Sequence, residues 1–181
     1  MEFQVGDKCV VPALGVGIVR EIKRLDIEDQ SYEVYEIKIL DNGATYTTPK
    51  DQADANGIRE VIPDDAVSRV YEILRDRDTP TDKQTWNRRY REYMTKIKTG
   101  DPLEVASVLR DLALLRMQKT LSFGERKMFD QAHGLIVQEL AVARDVDEEE
   151  IKEDINGIFS DEGTVDGEAA KKKKRSKKKK K

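Results

Sequence analysis

The chain is poor in the residues on which most site chemistry depends. It has one cysteine, Cys9, so no internal disulfide can form and the framework of a small secreted domain is excluded. It has one histidine, so a Cys/His zinc site is excluded and a serine–histidine triad would have to be built on His133. That residue lies in F-D-Q-A-H-G-L-I, a helical pattern in which a structural imidazole is the expected role. Neither standard nucleotide-binding glycine loop is present, and no ordered set of Asp and Glu stands at metal-holding spacing. No catalytic residue, metal or cofactor is therefore expected. No apolar run approaches the roughly 20 residues of a helical membrane span. The start, M-E-F-Q-V-G-D-K, lacks the basic and apolar regions of a signal peptide. A soluble protein of a reducing cytoplasm fits these absences.

What is abundant is charge, at 38% of the 181 residues, the same share as hydrophobic residues. Such a chain has a modest core and a heavily charged surface. The net charge of −3 conceals a split. The last eleven residues, K-K-K-K-R-S-K-K-K-K-K, carry ten basic groups; without them 23 basic residues face 36 acidic ones, a net of −13. Residues 132–170 hold two basic groups against twelve acidic, whereas residues 69–131 hold fourteen basic against ten acidic. The distribution of charge is thus more informative than its sum.

Residues 1–50 read as β. Short runs, C-V-V-P, V-G-I-V-R-E-I and Y-E-V-Y-E-I-K-I-L, are separated by turn residues. Gly15 and Gly17 mark a tight bend or bulge. D-N-G at 41–43 signals a hairpin, because Asn and Gly tolerate the positive φ of a type I′ turn. About five short strands in this length imply a small, strongly bent sheet or barrel of the SH3 or Tudor kind. Beyond Pro63 the period changes. Val67, Val70, Tyr71 and Leu74 follow helical spacing, and a second helix is expected over about 83–98. Asp101-Pro102 offers an N-cap with proline at the first helical position, and Ser122-Phe123-Gly124-Glu125 is a capping box opening a helix to about Arg144. Asp147 to Glu150 start a last helix with Ile151, Ile155 and Phe159 on its apolar face. The expected fold is α+β: a small Tudor/SH3-like β domain over 1–60, then a compact bundle of about five helices over 61–160. A Gly-, acid- and Lys-rich tail over 161–181 is expected to be disordered.

One stretch poses a sharper question. Residues 85–93, T-W-N-R-R-Y-R-E-Y, hold the only tryptophan, Trp86, together with Arg88, Arg89 and Arg91. On a helix, Trp86, Tyr90, Tyr93 and Ile97 share a stripe that reads as core; Arg88, Arg91, Thr95 and Lys98 share one that reads as a solvated or anion-facing surface. Arginines at a helix start oppose the helix dipole, a cost that phosphates would offset. Trp86 falls in the first turn, where burial is only partial, and a flat apolar ring beside cations is what a minor-groove wedge requires. The same residues also suit a bundle in which Trp86 caps the core and the arginines pair with Glu92 and other acids.

Four blocks carry a resemblance. V-G-D-K-C-V-V-P-A-L-G-V-G, T-W-N-R-R-Y-R-E-Y-M-T-K-I-K-T-G-D, V-A-S-V-L-R-D-L and L-S-F-G-E-R-K-M, in that order, resemble the CarD family of bacterial transcription regulators, and within it the short stand-alone CdnL branch, over roughly residues 1–158. The resemblance implies a Tudor-like domain that binds the β subunit of RNA polymerase, and a helical domain that contacts promoter DNA at the upstream edge of the transcription bubble. It places Trp86 as the minor-groove wedge that slows bubble collapse, and Arg88, Arg91 and Arg126 as basic DNA contacts. Arg126 stands near a capped helix N-terminus whose amides could also face a phosphate. The polymerase contact is expected on an edge strand, A-T-Y-T-T-P, through Thr45, Tyr46, Thr47, Thr48 and Pro49, by main-chain pairing with the partner's sheet. An ordinary edge strand is the plainer alternative. Some family members carry arginines around this surface; here Leu25 and Thr47 are not basic, and Arg24 is the nearest candidate.

The terminal lysine run lies outside the resemblance. It is expected to bind phosphate backbones without sequence preference, to stay idle in solvent, or to fold back on D-V-D-E-E-E-I-K-E-D at 145–154. The expected protein is a non-enzymatic transcription regulator, monomeric, cytoplasmic and nucleoid-associated, with RNA polymerase and promoter DNA as partners and no membrane. The alternative is a general Tudor-like nucleic-acid-binding protein without a polymerase partner.

Overall fold

The computed structural model describes residues 2–27, 30–78 and 84–160. Five strands come first: β1 (Lys8–Val11), β2 (Gly15–Ile27), β3 (Gln30–Ile39), β4 (Thr45–Pro49) and β5 (Arg59–Glu60). Five helices follow: α1 (Asp64–Arg75), α2 (Trp86–Thr99), α3 (Pro102–Gln118), α4 (Phe123–Arg144) and α5 (Glu148–Ser160). The fold is α+β, as the sequence periods predict. The strands form one antiparallel sheet in the order β4-β3-β2-β1-β5, so β4 and β5 are its edges. Phe3, Cys9, Val11, Val19, Tyr35, Ile37, Ile39, Ala53 and Ile58 form the core of this half.

Two local expectations change. The D-N-G stretch does join β3 to β4, but only Gly43 is left-handed (φ 69°). The Ile39 N–H donates to the Ala44 carbonyl and the Gly43 N–H to the Ile39 carbonyl, which makes a wider loop than a two-residue type I′ turn. Gly15 does make the tight bend after β1 (φ 97°), whereas the bulge lies between Val19 and Glu21 and not at Gly17. Gly17 is needed for a different reason: a Cβ there would stand 2.5 Å from Ile37 Cγ2.

The helices begin and end where their caps dictate. Asp101 Oδ1 accepts from the Leu103 N–H (2.8 Å) ahead of Pro102, and Ser122 and Glu125 close a reciprocal capping box on α4. α2 stops at Gly100, which takes the left-handed C-cap (φ 72°). The bundle core is aliphatic and centred on α3 and α4, with Leu109, Leu112, Ile136 and Leu140 fully buried; Ile151, Ile155 and Phe159 close it from α5. Sheet and bundle meet at α4. The Arg59 guanidinium of β5 pairs with Glu139 (Nη2 to Oε2, 2.8 Å), and its Nε donates to the Gly100 carbonyl (2.8 Å). The Ile62 N–H also donates to Glu139 (3.2 Å).

Candidate nucleic-acid interface

α2 has no side-chain cap and no acidic residue in its first turn. It opens directly on Trp86, while Lys83, at the start of the span expected for this helix, lies outside the described residues. The indole is partly buried at the rim of the bundle core. Its edge meets Tyr90 (centroids 5.6 Å, planes at 62°), and the Arg89 guanidinium carbon stands 5.7 Å from the ring centre. It rests against the first turn of α4 at Gly124, where a Cβ would fall 3.0 Å from Cζ2 and 3.1 Å from Nε1.

The expected core stripe is only partly right. Tyr93 and Ile97 are buried, but Tyr90 is 44% exposed and Arg89 takes the inward place beside them at 8%. The physical reason is on α4. Glu125, 2% exposed, accepts from Arg89 Nη2 (2.8 Å), so the arginine enters the bundle as half of an ion pair. Glu125 also accepts from Lys119 Nζ (3.1 and 3.2 Å) and from the Ser122 N–H (2.9 Å). Burial alone would raise its pKa. The donors from Ser122, Lys119 and Arg89 together outweigh burial and hold it at about 2.

The remaining cations face outward. Arg88 is exposed and pairs loosely with Glu92 (3.5 Å), one turn on. Arg91, Arg126 and Lys127 are exposed and have no ion-pair partner among the described residues. The structure therefore brings Trp86, Arg88 and Arg91 together on α2, with Arg126 on the adjoining first turn of α4. At the start of α4 the Glu125 amide is bonded to Ser122 Oγ (3.3 Å) and the Ser122 amide to the Glu125 carboxylate (2.9 Å), so these two amides already have partners within the chain. Arg126 would meet an anion through its side chain. One residue escaped the sequence reading. Phe123 opens α4 and is 86% exposed, the most exposed large apolar side chain of the described residues. Its signal was an aromatic residue off the Met128, Phe129, Ala132, Ile136 stripe that α4 buries.

The second set of expected contacts lies on the sheet. Thr45 to Pro49 form β4, paired to β3 from Lys38↔Thr45 to Val34↔Pro49 and with no strand on its other side among the described residues. Thr45 and Thr47 are exposed and Tyr46 packs partly against the sheet core. Thr48 is 1% exposed, with its hydroxyl taken by Asn56 Nδ2 (2.8 Å), so only its main chain is available to a partner. Arg24 sits two strands away, opposite Glu33 on the far part of the β2–β3 hairpin, where it pairs loosely with Asp26 (4.0 Å). His133 stacks on Phe129 (5.9 Å, 17°) and is partly buried. The acidic stretch at 145–154 is engaged in part with the bundle, through Arg144 to Asp154 (3.3 Å) and the Tyr71 hydroxyl to Asp154 (3.1 Å), and in part within itself, through Lys152 to Glu148 (3.6 Å). The lysine run lies outside the described residues.

Comparison with known proteins covers both halves. Residues 3–62 match the family model described as the CarD-like/TRCF RID domain, and residues 69–156 match the CarD C-terminal domain. The chain is 32% identical over 154 residues to the Bacillus subtilis (strain 168) protein named "Putative transcription factor YdeB". That alignment spans 83% of this chain and 97% of the relative.

Proposed function

The chain belongs to the CarD family of transcription regulators, and from that premise we propose that it stabilises the promoter open complex by lodging Trp86 in the minor groove at the upstream edge of the bubble. The observation that carries this reading is the position of the indole. It lies at the rim of the bundle, partly exposed, with Arg88 and Arg91 outward on its own helix and Arg126 on the next. A wedge needs an apolar face free to enter a base step and cations placed to hold the flanking phosphates. Phe123 adds a further exposed aromatic, on the turn against which Trp86 rests.

The β subunit of RNA polymerase is the proposed partner of the sheet. β4 is an edge strand of five residues whose main chain can extend a partner's sheet, with Thr45 and Thr47 facing out and Pro49 ending the ladder. Arg24 would reach the same partner only if it extended past the β2–β3 hairpin. The protein so proposed acts as a monomer in the cytoplasm, near the nucleoid, without catalysis or cofactor.

The direct test is the lifetime of open complexes on a promoter that melts poorly, with and without the protein. Trp86→Ala is expected to leave the bundle folded and to remove about 1–3 kcal/mol of open-complex stabilisation, the range of a lost stacking contact. If the variant melts the bundle, or if it folds and the lifetime is unchanged, the wedge reading fails. Pull-down with the isolated β subunit tests the sheet's partner and separates this reading from a general nucleic-acid-binding protein.

A further inference from the structure

We propose that Arg89 is a positioning residue for Trp86: the buried Arg89–Glu125 pair, together with the bare backbone of Gly124, forms a seat that fixes the depth and tilt of the indole. The inference rests on the reading of Trp86 as the DNA-contacting group.

Three sides of the ring are bounded. The first turn of α4 lies under one edge at Gly124, so close that an alanine methyl would press on Cζ2, Nε1 and Cε2 at 3.0, 3.1 and 3.2 Å. The Arg89 guanidinium lies beside the ring at 5.7 Å, within cation–π reach. Tyr90 closes a third side, edge-on at 5.6 Å. Arg89 is in turn held by a carboxylate that has no freedom to move. Glu125 is bonded to the Ser122 amide, to Lys119 and to Arg89, and its own amide is bonded to Ser122 Oγ.

The chemistry of the pair argues against simple stabilisation. A buried ion pair is seldom more stabilising than apolar side chains of the same volume. This one is also incompletely satisfied, because Arg89 Nε is buried and has no hydrogen-bond partner among the described residues. An aliphatic residue at position 89 would continue the Tyr93–Ile97 stripe. What the aliphatic residue could not do is present a planar cation to the indole while gripping α4. Lysine fails in the same way: it can pair with Glu125 but offers a point charge and no plane. The device would hold the ring in a fixed, half-extended position before DNA arrives, so that little side-chain freedom is lost on entry.

The only tryptophan of the chain is its own reporter. The experiment compares wild type, Arg89→Lys, Trp86→Ala and the double variant, all as the full chain, by thermal melting and open-complex lifetime, with anisotropy and acrylamide quenching of Trp86 emission read on the proteins that keep the ring. Arg89→Lys is expected to melt within a few degrees of wild type. Its indole should show lower anisotropy and faster quenching, and its open-complex lifetime should fall about two- to fivefold, the range a lost cation–π contact supports. In the Trp86→Ala background the same change should have no further effect. Gly124→Ala, which displaces the ring from the other side, should reproduce the fluorescence change.

An indole as ordered in Arg89→Lys as in wild type would overturn the proposal. So would a lifetime loss of equal size with and without Trp86, which would make Arg89 an independent phosphate contact or a plain structural residue. Failure of the wedge reading looks different: Trp86→Ala would then leave the lifetime unchanged, while the fluorescence arm still decides whether Arg89 seats the ring.

Discussion

Glu125 and Glu139 are both buried on α4, about 21 Å apart along the helix, and each receives an arginine from another element. Their surroundings differ. Glu139 works among main chains: its partner Arg59 also binds the Gly100 carbonyl, and the Ile62 N–H donates to Glu139 directly. It joins the last strand, the end of α2 and the C-terminal part of α4. Glu125 accepts one main-chain N–H, from Ser122, and otherwise works among side chains: it holds Lys119 and Arg89, and Arg89 flanks the indole. The lesson is that similar ion pairs serve different purposes according to what the arginine touches next. One fixes the placement of the sheet against the bundle, and the other fixes a single ring. α4 thereby links the sheet, at β5 and so at the edge opposite β4, to the rim proposed for DNA.

The largest effect is expected at Glu139. Glu139→Ala should destabilise the fold by about 3 kcal/mol, because a partly buried guanidinium and a backbone N–H lose their acceptor. Urea unfolding followed by circular dichroism measures it, and a loss below about 1 kcal/mol would show that the junction is held by packing alone. The pair at Glu125 is sharpened by acid. Its folded pKa of about 2 lies below the ordinary 4.5, so its contribution is complete above about pH 4.5 and is lost as pH falls toward 2. Melting temperatures between pH 6 and pH 2.5 should therefore fall less steeply for Glu125→Gln, which starts lower, than for wild type. Ser122→Ala removes half of the capping box and should cost about 1 kcal/mol in the same unfolding assay. The smallest expected effect is at the rim. Arg91→Ala should weaken binding to duplex DNA by less than about 1 kcal/mol for any sequence and lower the log–log salt slope by roughly one. A preference among sequences would mean a base contact instead.

The element order was legible because its signals are local. The change of period after Pro63, the Asp101-Pro102 start, the Ser122–Glu125 box and the Ile151, Ile155, Phe159 stripe each act within one or two turns. The edge position of Thr45–Pro49 and the rim position of Trp86 were legible for the same reason, from a ladder-ending proline and a first-turn location. The roles of Tyr90 and Arg89 were not. Helical spacing puts both near the edge of the buried stripe, and hydropathy chooses the tyrosine. The choice was reversed by Glu125, which lies on a different helix. Thr48 keeps the main-chain pairing expected of it, but the burial of its hydroxyl against Asn56 is set by a residue outside the strand and was not legible.

By itself, then, the chain determined its strands, its helices, their caps and the presence of one aromatic ring among arginines, because propensity, period and capping are properties of neighbouring residues. Tertiary structure decided which arginine turns inward, what the indole rests on and how the sheet is fastened to the bundle. Those outcomes depend on carboxylates brought in from distant positions, and a buried cation is tolerated only where such a partner arrives.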